Sequence, residues 1–346
     1  MESSTTLKKG KIMRKMMIST ALATSLIASV ASAETKVKAY IETTLGSGET
    51  PATSGNTPVN QGTTIGYEHG VTFSGSKELD NGMTLGTKFG IEDGAAAKAK
   101  GITFGIGNTS IIIGNDLNTI DDKQSVPTIA NAIEDGNKGL GVTYNNNKLT
   151  IHEKNSIGFR QKTDFGTFGV NYAPKMGSTG FDDSNPNASA KTGSGLAIGF
   201  QGSLGVEGLG LNIAKTTADT GSLDSQEQTM LVTGVSYNFG NITVGAQNTN
   251  YDNVTGTSFA YSATGNADAR SYGATAAITD QFSLGIQYAE FDGAGVGTSN
   301  EEITSITAGY NLGGATITLQ YHDAENVDGT ASNNGEALEL RLKQSF

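Results

Sequence analysis

Hydrophobic and polar residues alternate along much of this chain with a period of two. From Thr64 to Ser76 the apolar residues fall mainly on odd positions, and the same parity continues from Met83 to Ile91. Successive side chains of a β-strand point to opposite faces, so the pattern predicts strands with one apolar and one polar face. Between the two segments, Asn81-Gly82 is a sequence typical of a tight hairpin turn.

The hairpin pattern recurs down the chain, and its connections are of two kinds. Short turns are predicted at Thr163–Gly166, Glu207-Gly208, Gly240-Asn241, Asp280 and Gly313-Gly314. Long polar stretches join successive hairpins at 46–62, 92–101, 115–154, 174–194, 217–228, 250–270, 291–302 and 322–336. The pattern predicts about 16 strands of roughly 9–11 residues, the length that a tilted strand needs to cross a bilayer. Short periplasmic turns and long extracellular loops are typical of outer-membrane β-barrels.

Other all-β folds also alternate, but they fit less well. A β-solenoid predicts a fixed repeat length, and the spacing of these hairpins varies. A β-sandwich of this size would divide into domains joined by linkers, and no linker is visible. A closed barrel pairs every backbone N–H and C=O within the membrane. We therefore expect residues 34–346 to form a single all-β domain, a transmembrane antiparallel barrel.

The first 33 residues have the pattern of a signal peptide. Basic residues between Lys8 and Lys15 precede the apolar segment Met16–Val30, and Ala31-Ser32-Ala33 supplies the cleavage motif. The apolar segment is shorter than the roughly 20 residues of a membrane-spanning helix. We expect residues 1–33 to be removed by cleavage between Ala33 and Glu34. Met13 and Met16 are alternative start positions, which would make 1–12 an extension.

Composition and charge narrow the possible partners. Without residues 1–33, the chain has 18 Lys+Arg and 33 Asp+Glu, a net charge near −15, which argues against nucleic acid as a partner. Cysteine is absent, so no disulfide stabilises the exported chain. Tryptophan is also absent, so the aromatic belts of a membrane barrel have to come from 11 Tyr and 13 Phe.

Two segments resemble the general bacterial (Gram-negative) outer-membrane porin family. One is Asn155–Pro174, NSIGFRQKTDFGTFGVNYAP; the other is the C-terminus, where Leu338, Leu340 and Leu342 alternate before a final Phe346. The resemblance implies a passive diffusion channel for small hydrophilic solutes and ions. It also implies a homotrimer in outer-membrane lipid and lipopolysaccharide, with Phe346 as the signal for the barrel-assembly machinery. Porins fold their third extracellular loop into the pore, and 115–154, after the fifth strand, takes that position.

Strand parity predicts which charges face the lumen. An Arg or Lys on the lipid face at mid-bilayer costs about 2–4 kcal/mol, so bases that alternate with apolar residues should point inward. We expect a constriction in which wall bases face loop carboxylates and set a transverse field, with cation preference because of the acidic net charge. Lys38 and Lys343 either join this wall or lie at the periplasmic rim. The expected constriction residues are Lys88, Arg160, Lys162 and Arg341 on the wall and Asp116, Asp121, Asp122, Glu134 and Asp135 in the loop.

Several alternatives stay open from the sequence. Residues 139–144 and 148–151 could form one more hairpin, giving 18 strands. His69, His152 and His322 are far apart, and we expect each to be a solvated residue of the lumen or a loop. No G-x-S-x-G, H-E-x-x-H or Walker A motif is present, so we expect no enzyme, cofactor or metal site. A substrate-specific channel, a barrel enzyme and a structural or adhesive barrel are the other functions compatible with the fold.

Overall fold

A computed structural model describes most of the expected barrel domain. It covers residues 34–50, 59–92, 100–115, 126–129, 156–174, 193–219, 227–254, 265–292 and 299–346. The predicted signal peptide, 1–33, lies outside the described residues. Within these ranges the regular structure is β-strand, apart from a 3-10 turn at Val327–Gly329. No helix in the described ranges is long and apolar enough to cross a membrane.

Sixteen antiparallel strands form one closed barrel. Each strand pairs with its neighbours in sequence, and β1 pairs with β16. The predicted sixteen-stranded barrel is confirmed, and the sandwich and solenoid alternatives are wrong. The strands are β1 Glu34–Thr50, β2 Val59–Glu78, β3 Thr84–Glu92, β4 Lys100–Ile106, β5 Thr109–Asn115, β6 Ser156–Thr163, β7 Gly166–Ala173, β8 Gly195–Gly202, β9 Leu209–Ala218, β10 Gln228–Asn238, β11 Ile242–Val254, β12 Gly265–Ala277, β13 Phe282–Asp292, β14 Glu301–Asn311, β15 Ala315–Glu325 and β16 Gly335–Ser345.

The strand count is fixed by the pairing around the long third connection. β5 pairs directly with β6, from Thr109 opposite Gln161 to Gly114 opposite Ser156. Since the two strands are hydrogen-bonded neighbours, the wall has no position for two more strands between them. The 18-stranded alternative is therefore wrong.

The predicted short turns all lie at one rim, which we call the short-turn rim. Asn81-Gly82 closes the β2–β3 hairpin, where the Leu79 N–H donates to the Met83 carbonyl at 2.7 Å. Gly82 has φ +77° and Gly240 has φ +88°, conformations that favour glycine. The local sequence thus determined these turns, because such backbone angles favour glycine.

At the opposite, long-loop rim β1 and β2 extend further than predicted. β1 has 17 residues and β2 has 20, so much of the expected loop 46–62 is strand. Their pairing continues to Glu49 opposite Asn60 and Thr50 opposite Val59. Alternation with apolar residues is needed only where a strand contacts lipid, whereas backbone pairing can continue beyond that height. The predicted lengths of 9–11 residues were therefore too short for these strands.

The outward face carries the apolar residues. Leu45 pairs with Leu340 across the β1–β16 seam, and both side chains are exposed on the outside of the barrel. Nearer the long-loop rim the outward row becomes polar, where Asp323 pairs with Glu336. Tyrosine and phenylalanine border the apolar band, as expected for a chain without Trp. Examples are Tyr272 with Tyr288 towards the long-loop rim and Tyr237 with Phe239 at the short-turn rim.

The inward face is accessible on only one side of the barrel. Inward side chains of β8–β15 are mostly buried, with His322 and Gln320 both 0% exposed. On the other side Lys88 is exposed, and the Lys343 side chain is 48% exposed. The solvent-accessible surface of the lumen therefore follows β1–β3, β6 and β16, where the charged residues are concentrated.

Candidate functional site: a charged wall of the lumen

The cross-strand register determines which way the four predicted wall bases point. Lys88 pairs with Ser74 and Gly101, while its neighbour Phe89 pairs with Phe73 on the outward face. Residues directly opposite each other in an antiparallel pair share a face, so Lys88 points into the lumen. Its role in a constriction stays a prediction.

The other three bases lie on the same inner face. Arg160 pairs with Ser110 and Gly169, and Lys162 follows it at the short-turn rim. Arg341 pairs with Thr44 and Thr318, between the outward residues Leu340 and Leu342. Lys162 is exposed, whereas Arg160 and Arg341 are half-buried.

Four carboxylates on the same wall were missed by the sequence analysis. Glu42 of β1, Glu68 of β2, Glu92 of β3 and Glu339 of β16 all occupy inward positions. The parity argument could have found them, because Glu339 has the same parity as Arg341. The wall is therefore mixed in charge rather than basic.

Ion pairs connect the two strands at the seam. Nε of Arg341 lies 3.1 Å from Oε1 of Glu42, and Nη2 lies 3.6 Å from Oε2 of Glu339. Nζ of Lys343 lies 3.1 Å from Oε2 of Glu42. Glu42 is buried and Arg341 is 13% exposed, so solvent screens these pairs less than it screens surface pairs. Part of the positive charge of the wall is offset within the wall itself.

Tyr40 extends this network across two further strands. Its hydroxyl oxygen lies 2.7 Å from Oε1 of Glu68 and 2.5 Å from Oε1 of Glu92. Its ring lies over Gly70, where a Cβ atom would be 2.5 Å from Cε1 of Tyr40. Nζ of Lys343 lies 4.7 Å from the centroid of the same ring, which is within cation–π distance. The absence of a side chain at Gly70 thus lets Tyr40 reach from β1 to β3.

Four residues of the third connection are described, and they lie inside the barrel. Nε2 of Gln287, an inward side chain of β13, donates to the Pro127 carbonyl at 3.1 Å. Oγ1 of Thr128 donates to Oε1 of Gln287 at 3.0 Å. The prediction that this connection folds into the pore is confirmed for Val126–Ile129. The predicted acids Asp116, Asp121, Asp122, Glu134 and Asp135 lie outside the described residues, and their placement stays a prediction.

Three inward glycines on adjacent strands make room for this segment. A Cβ atom at Gly273 would lie 2.4 Å from Cγ1 of Val126. At Gly285 and Gly309 it would lie 3.2 Å and 3.1 Å from side-chain atoms of Ile129. We call Gly273, Gly285 and Gly309 the glycine recess. The loop can lie close to the wall because β12–β14 have no side chain at these three positions.

Filling the recess should move the loop towards the lumen axis. In Gly273→Val the new side chain would overlap Val126, and overpacking of this kind costs about 1–3 kcal/mol. We expect a lower single-channel conductance in planar bilayers, because the displaced loop narrows the passage. The matched control is Gly66→Val, an inward strand glycine with nothing within 4 Å of an added Cβ. If Gly273→Val lowers the conductance no more than Gly66→Val does, this role of the recess is contradicted.

Neither of the two described histidines occupies the position expected of it. His322 faces inward but is 0% exposed, and its Nδ1 lies 2.8 Å from Oγ of Ser305. His69 is exposed on the outward face, opposite Ile41, and His152 lies outside the described residues. A serine–histidine hydrogen bond occurs in nucleophilic enzymes, but burial keeps this pair from solutes. In the described ranges, no three His, Cys, Asp or Glu residues are grouped to hold a metal ion.

Fold and site together define a membrane channel. The barrel is closed, its outer surface is apolar, and its accessible inner wall is charged. The chain belongs to the Gram-negative porin family, whose profile matches residues 19–343. It is therefore an outer-membrane porin channel, and family and fold point to passive passage rather than catalysis. No curated protein matches the chain.

Solved porin structures share the fold at low sequence identity. A triple mutant of Rhodopseudomonas blastica porin is 17% identical with a TM-score of 0.59, covering 90% of this chain and 100% of its own. An anion-selective porin from Comamonas acidovorans is 15% identical with a TM-score of 0.60, covering 91% and 100%. Salmonella typhi OmpF in complex with daunomycin is 12% identical with a TM-score of 0.62, covering 90% and 98%. These similarities show the fold of the chain. They do not show the sign of its ion selectivity, which depends on individual side chains.

Proposed function

We propose that the protein is a passive diffusion channel for small hydrophilic solutes and ions, with a preference for cations. The observation that carries the proposal is the accessible, charged wall along β16 and β1–β3 of a closed barrel. Charged side chains and water along one continuous wall can replace part of a solute's hydration during passage. Family membership supports a homotrimer in outer-membrane lipid and lipopolysaccharide, assembled by the barrel-assembly machinery.

Cation preference is supported by the balance of charges around the lumen. Glu42, Glu68, Glu92 and Glu339 offset part of the positive charge of the wall. The predicted loop carboxylates, Asp116, Asp121, Asp122, Glu134 and Asp135, would then decide the sign. The net charge near −15 after removal of residues 1–33 favours the same sign at the mouths of the pore.

Two measurements on purified protein test the proposal. In planar bilayers we expect stepwise conductance increases and a reversal potential of the cation-selective sign under a salt gradient. In liposome-swelling assays, uncharged sugars should enter at rates that fall with size and do not saturate. Saturable entry of one solute would instead indicate a substrate-specific channel, and an absence of conductance would contradict a channel function.

A further inference from the structure

We propose that the lumen wall is divided along the pore axis into a basic zone and an acidic zone, and that the channel therefore rectifies ion current. The basic zone lies towards the short-turn rim and consists of Lys36, Lys38, Lys88, Arg160 and Lys162. The acidic zone lies further towards the long-loop rim and consists of Glu68 and Glu92. The inference rests on the proposed channel function and goes beyond it, because it concerns the direction of the current.

On three strands of the wall, an inward base and an inward acid lie four residues apart in the same order. The pairs are Lys38 with Glu42 on β1, Lys88 with Glu92 on β3, and Lys343 with Glu339 on β16. In each pair the base is nearer the short-turn rim. Four residues span about 13 Å along a strand, or roughly 10 Å along the axis of a barrel whose strands tilt by about 40°. This separation equals the Debye length of about 10 Å at 0.1 M salt, so an ion passes the two charges one after the other.

The basic zone continues on β6. Arg160 and Lys162 lie just before Thr163, where β6 ends at a short turn, and β6 contains no acidic residue. Lys162 is exposed, as are Lys38 and Lys88 on the other strands. Glu78 ends β2 at the short-turn rim itself and lies outside both zones. Solutes entering from the short-turn rim therefore pass the basic zone before the acidic zone.

The seam between β16 and β1 is balanced in charge. Arg341 contacts Glu42 and Glu339, and Lys343 contacts Glu42, so two bases face two acids. The formal charges of these four residues sum to zero, and the axial separation comes from the two zones. Glu68 and Glu92 both lie within hydrogen-bond distance of the Tyr40 hydroxyl, a neutral group that does not offset their charge.

A pore with two zones of opposite sign conducts unequally in the two directions. The acidic zone concentrates cations and the basic zone concentrates anions, as walls of one sign do. When the long-loop side is positive, cations enter through the acidic zone and anions enter through the basic zone, so both accumulate in the pore. At the opposite voltage each ion first meets the zone of its own sign, and the pore is depleted of ions. The larger current should therefore flow when the long-loop side is positive.

Single-channel recordings of the native protein test this expectation. In symmetric 0.1 M KCl, the currents at equal and opposite voltages should differ at least about twofold, because one-signed zones raise local counter-ion concentrations tenfold or more. In 1 M KCl the ratio should fall towards one, since the Debye length shrinks to about 3 Å. A ratio near one in 0.1 M KCl would overturn the inference while leaving a conducting channel.

A single cysteine identifies the orientation of each inserted channel. The chain has no cysteine of its own, and Thr84 is an exposed, inward residue at the start of β3, at the short-turn rim. In Thr84→Cys, a maleimide too bulky to cross the pore should lower the current only when it is added on the side of the short-turn rim. If the larger current flows when that side is positive, the assigned order of the zones is wrong.

A charge swap on one strand tests the assignment to residues. Lys88→Glu with Glu92→Lys keeps the net charge and reverses the order of base and acid on β3. The current ratio in 0.1 M KCl should fall towards one or invert. The matched control is Asp268→Arg with Arg270→Asp, a swap on the outward face of β12 that also keeps the net charge. A swap on β3 that changes the ratio no more than this control would overturn the assignment.

A milder variant decides the matter if the swap on β3 yields no heat-modifiable barrel. Lys38→Gln with Lys88→Gln introduces no charge of opposite sign and leaves the contacts of Tyr40 with Glu68 and Glu92 intact. It should lower the current ratio and increase cation preference. An unchanged ratio in this variant would overturn the basic zone. An absence of conductance in the native protein would overturn the channel function and the inference with it.

Discussion

Deletion of Phe346 should leave little folded barrel in the outer membrane. The Phe346 N–H donates to the Ala39 carbonyl at 2.8 Å, and the Ala39 N–H donates to the Phe346 carbonyl at 3.2 Å. These two hydrogen bonds join β1 to the residue that follows β16. Two lost hydrogen bonds cost about 1–3 kcal/mol in total, and the unpaired groups left beside lipid add to that cost. We expect at least a severalfold loss of heat-modifiable barrel on gels and more aggregate in the periplasm.

A second variant separates closure of the seam from recognition of the aromatic ring. Phe346→Ala keeps the backbone hydrogen bonds but removes the ring, which is 71% exposed. It should refold in detergent like the native protein, yet assemble poorly in cells if the assembly machinery binds the ring. Phe239→Ala, another exposed aromatic at the short-turn rim, is the matched control and should assemble normally. Native yields after deletion of Phe346 would contradict the proposed assembly signal.

Two double variants should move the reversal potential in opposite directions. Lys88→Gln with Arg160→Gln removes positive charge from the wall and should increase cation preference. Asp121→Asn with Asp122→Asn removes negative charge from the loop and should decrease it. A unit charge about 6 Å from an ion contributes roughly 1–3 kcal/mol at effective dielectric constants between that of water and about 20. Removing two such charges is therefore large enough to measure under a salt gradient.

The matched control for charge uses residues away from the lumen. Lys77 is exposed on the outward face of β2, and Asp280 is exposed in a short turn. Lys77→Gln and Asp280→Asn should change selectivity little, because charges beyond a Debye length of about 10 Å at 0.1 M salt are screened from the ion path. If the Asp121/Asp122 variant behaves like this control, those acids are remote from the constriction. If the Lys88/Arg160 variant changes selectivity as little as this control, the ion path does not follow the charged wall of the lumen.

The sequence alone determined the number of strands, most of the short turns and the face on which each wall base lies. Lipid contact requires an apolar residue at every second position, and a misplaced Arg or Lys is costly there. Arg341 between Leu340 and Leu342 could therefore be assigned to the lumen without a structure. Gly82 and Gly240 similarly marked turns, because their backbone angles favour glycine.

Only the tertiary structure decided how the inner side chains are partnered. Parity places Tyr40 and Glu92 on one face but does not give the register of β1, β2 and β3, which brings them together over Gly70. The glycine recess likewise depends on three adjacent strands bringing their glycines close to Val126 and Ile129. The lumen imposes no repeating pattern on the sequence, because water tolerates either charge and many side-chain sizes. Which inner residues meet therefore depends on strand stagger and loop packing, which are long-range properties of the closed barrel.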